Sequence, residues 1–359
     1  MSQEKSVAFP ISALVLAMVL VLGVGSCIRF QRKDVSFSAP KKDFVKVGDR
    51  KIHVKDRGPK SPKDTVVFIH GFASSWVVWA GVMKEVGKRY RVVALDLPGF
   101  GYSDKRKGDY SPEALADVVS GLMKKKGIQK AHVVAHSWGC SVALALALRH
   151  KERVRSLTLM SAWVFEGQMV PFLVWSRVPV LGEVLFTLFY RERVGDRYAM
   201  AFFEPERYTD FRTVGLIKKA LRRPGAVRAS LQAVRQMRFE KLQKSYSNIE
   251  VPTLLIWGKQ DHVAKETFAH KLQRELSKSR LRVLHRCGHF PMIERPHVTL
   301  RELRRHLAKW EAKKPVGLVG DGQDTKPSSA REPAPTAAPP IKTTPGRGGS
   351  REAVRGGTP

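Results

Sequence analysis

Six short apolar runs, each about the length of one β-strand, recur through the middle of the sequence, and helical patterns separate most of them. Runs that are apolar on both faces and alternate with helices predict a parallel sheet that is covered by helices on both sides. In such sheets the chemistry is located at the carboxyl ends of the strands. The runs are residues 64–71, 89–99, 129–137, 154–162, 251–259 and 279–287.

Two further segments have recognisable local patterns. Residues 49–58, "DRKIHVKDRG", alternate between polar and apolar side chains, which predicts a half-exposed antiparallel edge strand. The stretch "SPEALADVVSGLMKKKG" predicts a helix in which Ser111 is the N-cap and Pro112 occupies the first helical position.

The interval between the fourth and fifth runs has no strand pattern. It contains apolar clusters such as "VPFLVWSRVPVLGEVLFTLFY" and basic helical stretches such as "GLIKKALRR". We interpret residues 164–248 as a helical insertion, a lid over the strand ends, and refer to them as the inserted segment. The fold class is therefore α/β, a mostly parallel central sheet with helices on both faces and an inserted helical lid.

An uncharged apolar stretch at the N-terminus, residues 6–28, is long enough to span a bilayer. It is either a retained single-pass anchor or a secretory signal with its apolar region at about residues 11–22. The tetrapeptide "VGSC" resembles a bacterial lipobox, in which cleavage leaves Cys27 to be lipidated.

Positive charges follow this stretch and favour a cytoplasmic side for the rest of a retained chain, which conflicts with export. The topology therefore stays open, and we expect membrane association in a bacterial cell envelope. The tail, residues 315–359, is rich in Pro, Gly, Ala, Ser and Thr and is expected to be disordered. The predicted division is a signal or anchor at 1–28, a linker at 29–43, a core in two parts at 44–163 and 249–314, the lid at 164–248 and the tail at 315–359.

The charge is strongly basic, with 64 Lys and Arg against 32 Asp and Glu, a formal net charge of +32. The basic residues are scattered and no nucleic-acid motif is present, so we expect no nucleic-acid partner and a weak attraction to anionic membranes. Three cysteines cannot form a disulfide framework, and Cys140 and Cys287 are expected to be buried thiols. We find no metal-ligand spacing and expect no cofactor.

A lone serine interrupts the run that leads from a strand directly into a helix, "VVAHSWGCSVALALAL". Ser137 has Ala135 and Gly139 two residues away on either side. A sharp strand–turn–helix needs small neighbours there, lifts the hydroxyl off the sheet and directs the backbone N–H of Trp138 toward the same point. The usual pattern is G-x-S-x-G, and Ala135 departs from it.

Three other strand ends carry residues that suit the chemistry of a nucleophilic serine. "HGF" closes the first run, and the backbone N–H of Phe72 is a candidate oxyanion donor. Asp261 follows the fifth run in "IWGKQDHVA", and His289 follows the sixth in "HRCGHFPMIERP". The chain order Ser137, Asp261, His289 matches the order found in a known class of hydrolases.

These motifs resemble those of the α/β-hydrolase superfamily over about residues 44–312, in particular "HGFASSWVVW", "DLPGFGYSD", "HSWGC", "WGKQDHV" and "GHFPMIERP". The resemblance implies that Ser137 is the nucleophile, His289 the general base and acid, and Asp261 the carboxylate that orients the imidazole. It also implies an oxyanion hole formed by the backbone N–H groups of Phe72 and Trp138. Three other polar residues of these motifs, Asp96, His70 and His136, are interpreted as structural.

The type of nucleophile separates the subclasses that these motifs resemble. Epoxide hydrolases and haloalkane dehalogenases have an Asp at the position of Ser137, whereas a serine hydroxyl suits acyl transfer. Proline iminopeptidases and C–C bond hydrolases carry a Gly-rich loop after the first His-Gly, and this chain has "FASS" there. We therefore expect a serine esterase or lipase. The alternatives are a thioesterase, a perhydrolase, an aminopeptidase, a C–C hydrolase or a non-catalytic membrane-associated binding protein.

Apolar side chains in the first half of the inserted segment have two interpretations. They either pack the lid on the core or form an acyl-chain or aromatic pocket. Combined with membrane attachment, the second interpretation predicts a small-molecule or lipid ester with an apolar acyl group as substrate. The candidate pocket residues are Phe165, Met169, Phe172, Trp175, Phe186 and Phe189, with Tyr190 beside them.

Overall fold

An eight-stranded sheet is the centre of the structure, a computed structural model that describes residues 39–59, 62, 64–190, 199–208, 215 and 223–311. The N-terminal stretch with Cys27, most of the predicted linker and the predicted tail lie outside the described residues. Within the described ranges, no helix is both long enough and apolar enough to cross a membrane.

The sheet has the strand order β1-β2-β4-β3-β5-β6-β7-β8. From β4 through β8 every neighbouring pair is parallel, and each of the six apolar runs contains one of these strands or β3. The prediction of a mostly parallel sheet is therefore confirmed. The strands are β1 Phe44–Val47, β2 Arg50–Arg57, β3 Thr65–Ile69, β4 Arg91–Leu95, β5 Ala131–His136, β6 Val154–Met160, β7 Thr253–Gly258 and β8 Ser279–Leu284.

The antiparallel strand predicted at residues 49–58 is present as β2, but its predicted place at the edge is wrong. β2 pairs with β4 on one side and with β1 on the other, both antiparallel. β1 covers the edge, and its four residues are too few for the alternation to show in the sequence. The partly polar pattern of β2 has another cause, because Lys51, Asp56 and Arg57 near its two ends are exposed whereas its middle residues, 52–54, are buried.

Helices cover both faces of the sheet, as predicted. Ser111 caps the second helix through its side-chain oxygen, which accepts a hydrogen bond from the backbone N–H of Ala114 at 3.2 Å, and Pro112 begins that helix. The helices are α1 Ala80–Val86, α2 Pro112–Lys125, α3 Gly139–Arg149, α4 Pro171–Trp175, α5 Leu181–Leu185, α6 Pro205–Tyr208, α7 Ala226–Gln236, α8 Glu240–Gln243, α9 Thr267–Glu275, α10 Pro291–Glu294 and α11 Pro296–Lys309.

The most deeply buried pair of elements is β5 with α3. All six residues of β5 are buried, and so are residues 139–147 of α3, which alternate mainly between Ala and Leu. A helix that is apolar all round belongs in the interior of a protein. Small Ala side chains let α3 pack closely on the sheet, so the turn between β5 and α3 rests on the most rigid part of the core.

The described residues between β6 and β7 form helices and no strand, which agrees with the predicted inserted segment. Its first and last parts are joined to each other, since the hydroxyl of Tyr246 donates to the carbonyl oxygen of Val164 at 2.8 Å. The guanidinium of Arg177 bonds both the side chain of Glu166 and the carbonyl oxygen of Met237. Whether this segment acts as a movable lid stays a prediction.

The strand register brings the carboxyl ends of the central strands level. Ile69 pairs with Ala135 between β3 and β5, and Met160 pairs with Ile256 between β6 and β7. The loops that follow β3, β5, β7 and β8 therefore meet at one edge of the sheet, where the sequence predicts the site.

Replacing Gly258, the last residue of β7, with Ala is expected to destabilise the protein by about 3 kcal/mol or more, because backbone cannot yield to an added methyl group. A Cβ at this position would overlap the carbonyl oxygens of Gly288 and Cys287. The matched control is Gly81→Ala in α1, where an added Cβ meets nothing within 4 Å. Helix propensity predicts that this control is neutral or stabilising by up to about 1 kcal/mol. Thermal and urea unfolding measure both, and equal stability of the two variants would contradict the packing argument.

Candidate active site

Ser137 has a left-handed backbone, with φ of 53°, in the turn between β5 and α3. Such a conformation costs roughly 1–3 kcal/mol for a residue other than glycine and persists only where its surroundings enforce it. Here the N–H of Ser137 donates to the carbonyl oxygen of Met160 at 2.9 Å, and its own carbonyl accepts from the N–H of Trp163 at 3.1 Å. The end of β6 therefore holds the turn in place.

Two glycines allow this turn to approach the loop that follows β3. A Cβ on Gly139 would overlap the carbonyl oxygen of His70, and a Cβ on Gly71 would lie 2.8 Å from the Cβ of Ser137. Gly139 is thus required by a backbone contact, which explains the second small residue of the motif. Ala135, at the first small position, is fully buried and pairs with Ile69.

The structure brings Ser137, His289 and Asp261 together in one hydrogen-bonded chain. Nε2 of His289 lies 2.9 Å from Oγ of Ser137, and Nδ1 lies 2.9 Å and 3.1 Å from the two carboxylate oxygens of Asp261. A carboxylate only accepts hydrogen bonds, so Nδ1 carries the proton and Nε2 presents its lone pair to the serine hydroxyl. All three residues are at least 95% buried.

Asp261 is held by the backbone that follows it. Its Oδ1 accepts hydrogen bonds from the N–H groups of Val263 at 2.9 Å and Ala264 at 2.8 Å. These two bonds fix the orientation of the carboxylate before it meets the imidazole. The turn that follows β7 therefore orients the carboxylate of Asp261 through its own backbone, and Gln260 ties this turn to Cys287 in the loop after β8.

Glu294 is a buried residue of the site that the sequence analysis missed. Its carboxylate accepts hydrogen bonds from three backbone N–H groups, those of Gly288 at 2.9 Å, Phe290 at 3.0 Å and Phe203 at 2.8 Å. Burial raises the pKa of Glu294, and the three N–H bonds oppose this shift. The side chain thus clamps both neighbours of His289, and the charged "ERP" that follows the histidine was the signal in the sequence.

His136 contacts the same loop from the other side. Its Nε2 donates to the carbonyl oxygen of His289 at 2.7 Å, and the two rings lie 4.7 Å apart between centroids. Burial, reinforced by His289, lowers the pKa of His136 well below its usual value, so the ring is neutral. The sequence predicts a structural role for this residue, and the structure adds that it lines the cavity beside Ser137.

The candidate oxyanion donors lie on the two loops that adjoin Ser137. Phe72 follows Gly71 and lines the same cavity as Ser137, and Trp138 precedes the first residue of α3. The rings of these two residues meet edge to face, with centroids 6.0 Å apart. The packing of the two rings holds the two loops together.

Asp96 organises the loop after β4. It accepts hydrogen bonds from the backbone N–H groups of Trp76 and Tyr102 at 2.8 Å and 2.9 Å, and it lies 2.8 Å from Nδ1 of His53. Burial acts to raise the pKa of Asp96, but the hydrogen bond and charge of His53 outweigh it and lower the pKa. His70 accepts a hydrogen bond from the backbone N–H of Leu97 at 2.9 Å. Both residues therefore support loops, as their interpretation from the sequence states.

A cavity of about 410 Å³ opens beside Ser137 and His289. Among the described residues its polar side chains are few, and neither Lys nor Arg lines it. The inserted segment supplies much of its apolar wall. The apolar side chains that line it are Phe72, Ala73, Trp163, Val170, Phe172, Leu173, Met200, Ala201, Val263 and Phe290.

Of the six predicted pocket residues, Phe172 lines this cavity and Phe186 stacks behind it, with ring centroids 5.7 Å apart. The prediction that Phe165 lines the pocket is wrong, because its ring is buried against Phe268 and Tyr246 in the base of the inserted segment. Met169 packs against the core and does not line the cavity.

The prediction that Trp175 and Phe189 line the pocket is also wrong. They are 59% and 45% exposed, on the outer side of the inserted segment. Apolar character alone does not distinguish an inward side chain from an outward one in helices of five residues. The side chain of Tyr190 lies outside the described part of the chain.

Cys140 and Cys287 are free, buried thiols whose pKa values are raised by burial.

A family model described as alpha/beta hydrolase fold matches residues 64–296. The 2-hydroxymuconate semialdehyde hydrolase of Pseudomonas sp. strain CF600 is 29% identical, over 70% of this chain and 88% of its own length. Epoxide hydrolase 3 of Xenopus tropicalis is 26% identical, over 67% of this chain and 71% of its own. The crystal structure of a membrane phospholipase A, a bacterial virulence factor, is 26% identical with a TM-score of 0.61, over 83% of this chain and 94% of its own.

Replacing Glu294 with Gln is expected to destabilise the protein, because the amide offers one acceptor oxygen to three backbone donors. Each buried donor left unsatisfied costs about 1–3 kcal/mol. The matched control is Glu250→Gln, which changes an exposed carboxylate in the same way. Urea unfolding of both variants measures the difference. A Glu294→Gln variant as stable as Glu250→Gln would show that the clamp contributes nothing.

Proposed function

The chain belongs to the alpha/beta hydrolase fold family, and on that basis we propose that it is a serine hydrolase that cleaves carboxylic esters with apolar acyl groups. The observation that carries the proposal is the hydrogen-bonded chain from Ser137 through His289 to Asp261. Nucleophile, base and orienting carboxylate are aligned in the resting structure, so no rearrangement is needed to start the reaction.

The proposed mechanism passes through an acyl-enzyme. Oγ of Ser137 bonds to the ester carbonyl carbon while its proton moves to Nε2 of His289. The carbon–oxygen bond to the alcohol then breaks, and the alcohol leaves with that proton. Water, deprotonated by the same nitrogen, bonds to the acyl carbon; the bond from that carbon to Oγ breaks, Oγ takes the proton from Nε2, and the carboxylic acid leaves. Asp261 stays ionised and stabilises the imidazolium in both halves.

The negative charge on the carbonyl oxygen needs preorganised donors. We assign this role to the backbone N–H groups of Phe72 and Trp138, which lie on the two loops that adjoin Ser137. Each such donor is worth about 3–4 kcal/mol in the transition state. The start of α3 adds the positive end of a buried helix.

The nucleophile argues against epoxide chemistry in this chain, although epoxide hydrolase 3 is among its relatives. Opening an epoxide through a covalent intermediate uses a carboxylate, and this position carries the hydroxyl of Ser137. The presence and alignment of all three triad residues also argue against a non-catalytic binding protein. Thioesters and other activated acyl compounds remain alternatives, since they use the same site.

The cavity supports an apolar acyl group. Its described lining is mainly aromatic and aliphatic and has no Lys or Arg to pair with a substrate carboxylate. Burying an unpaired carboxylate there would cost several kcal/mol. An uncharged or lipid-like ester therefore suits it better than an anionic substrate, and the similarity to a membrane phospholipase A agrees with this choice.

Membrane attachment at the N-terminus is part of the same proposal, either through residues 6–28 as a retained anchor or, after cleavage, through a lipid on Cys27. Its support is the uncharged apolar stretch in the sequence, and the similarity to a membrane phospholipase A over 83% of this chain. A cell-envelope location would place the enzyme beside lipid esters. Acid hydrolysis and lipid analysis of the purified full chain would distinguish the two forms of attachment.

The second candidate function is carbon–carbon bond hydrolysis. The observation that favours it is the 29% identity to 2-hydroxymuconate semialdehyde hydrolase over 88% of that enzyme. The argument against it is that the described cavity lining is mainly apolar and has no Lys or Arg, whereas a muconate derivative carries a carboxylate. A substrate panel that contains both this semialdehyde and carboxylic esters separates the two functions.

The full chain is expected to be labelled by a fluorophosphonate probe, and Ser137→Ala is expected to abolish the labelling. Asp261→Asn should lower kcat by about 10⁴-fold, because the imidazole loses the partner that fixes its tautomer. The matched control is Ser74→Ala, which removes another buried serine hydroxyl from the same cavity. It should keep the labelling, and an unlabelled wild type would contradict the proposed nucleophile.

In a series of p-nitrophenyl esters, kcat/KM is expected to rise about fourfold for each methylene buried in the cavity, as about 0.8 kcal/mol per methylene implies. Met200→Asp should reduce this rise, because Met200 lines the cavity and is already exposed at its mouth. Val178→Asp is the matched control, since Val178 is also an exposed apolar residue of the inserted segment, at 50% against 63% for Met200, but does not line the cavity. Faster turnover of the semialdehyde than of any ester would favour the second candidate instead.

A further inference from the structure

Exposed apolar side chains are concentrated on one short part of the described chain. Ten large apolar residues of the described chain are exposed, and nine of them fall within residues 170–200 of the inserted segment. The tenth, Trp310, belongs to the C-terminal helix region. We call the nine residues the apolar surface: Val170, Val174, Trp175, Val178, Val180, Leu181, Leu188, Phe189 and Met200.

The apolar surface is additional to the residues that pack the inserted segment. In α4, Leu173 is buried, whereas Val174 and Trp175 are exposed. In the turns after α5, Phe186 is fully buried against Phe172, whereas Phe189 is exposed. The segment therefore has a separate inner apolar face for the core, and the outer face is not needed to hold the fold together.

The apolar surface is continuous with the mouth of the cavity. Val170 and Met200, at its two ends along the chain, both line the cavity that contains Ser137. A molecule that covers this surface thus also covers the entrance to the reacting hydroxyl. Contiguous exposed apolar areas mark interaction sites in proteins, because their exposure to water is unfavourable.

The chemistry of the surface and its surroundings fits a lipid bilayer better than another protein. Exposed Trp, Phe and Leu in a segment rich in Lys and Arg match the composition of an interfacial membrane site. In the sequence of the inserted segment, Lys and Arg number fifteen against eight Asp and Glu, and the whole chain carries +32. This excess of positive charge attracts the anionic headgroups of a bilayer and repels a second copy of the same chain.

We propose that the apolar surface docks on an anionic lipid bilayer, so that the mouth of the cavity opens directly onto the membrane. The docking goes beyond the proposed function, since it requires no hydrolysis and would hold for any substrate. It is also distinct from attachment through residues 6–28, which would fix the chain to a membrane without orienting the cavity.

The test uses the fluorescence of Trp175, because the other tryptophans are buried or lie elsewhere. Full-length chain carrying Ser137→Ala, which cannot hydrolyse the lipid, is reconstituted in vesicles of phosphatidylglycerol and phosphatidylcholine with brominated acyl chains. Bromine quenches only tryptophans at the depth of the acyl chains. The expected result is quenching that is lost when Trp175→Phe is added.

Trp310→Phe is the matched control. Trp310 is 38% exposed and borders a groove that includes Pro252 and Thr253, at the start of β7. That is the edge of the sheet opposite to Ser137, so Trp310 should face away from the bilayer. Quenching should therefore be retained in Trp310→Phe, and removal of residues 6–28 should leave the difference between the two variants unchanged.

Equal quenching in the Trp175→Phe and Trp310→Phe proteins would overturn the proposal, because it would mean that Trp175 is not in the lipid. An unquenched Trp175 would overturn it as well. A photo-crosslinker introduced in place of Leu188 would then show whether a second copy or residues 6–28 cover the surface. Every protein in this experiment carries Ser137→Ala and lacks the nucleophilic hydroxyl. None of these outcomes therefore depends on whether the protein is an esterase.

Discussion

Ser137, with φ of 53°, lies in the turn between the fully buried strand β5 and the largely buried helix α3. The other groups of the site are positioned around this turn. Its hydrogen bonds to Met160 and Trp163 come from the end of the neighbouring strand β6. Its close approach to the β3 loop requires Gly139 and Gly71, which have no side chain to obstruct it. The strain at Ser137 therefore persists because a rigid, fully packed environment leaves the chain no lower-energy alternative at this point.

The three polar residues of the site reach one another because parallel strands end at a common edge. Asp261 is oriented by the N–H groups of its own turn, whereas His289 needs partners from other parts of the chain. Glu294 holds the N–H groups on either side of it, and His136 holds its carbonyl oxygen. The imidazole is thus positioned by its backbone as well as by its two ring partners, which is what preorganised catalysis requires.

The inserted segment is joined to the loop of the candidate base. The carbonyl oxygen of Ala201 accepts from the N–H of His289 at 2.7 Å, and the N–H of Phe203 donates to Glu294. Phe202 stacks on Phe290, with ring centroids 5.0 Å apart. The part of the chain that shapes the cavity therefore also supports the imidazole. The wall of the cavity and the alignment of the site therefore share the short stretch 200–203, and the apolar surface lies next to both.

The sequence by itself determined the class of the fold, the six parallel strands, the capped helix at Ser111 and the three residues of the hydrogen-bonded chain. These features depend on local periodicity, on turn chemistry and on residues that directly follow strands, all of which are properties of short stretches. Only the tertiary structure decided that β1 covers the sheet edge, that Glu294 clamps the histidine loop and that Trp175 faces outward instead of lining the cavity. The bond of Glu294 to Phe203 joins distant segments, whereas β1 and the bonds of Glu294 to Gly288 and Phe290 lie close in sequence. In each case the deciding physical quantities are burial and backbone hydrogen bonding, which a pattern of residue types does not show.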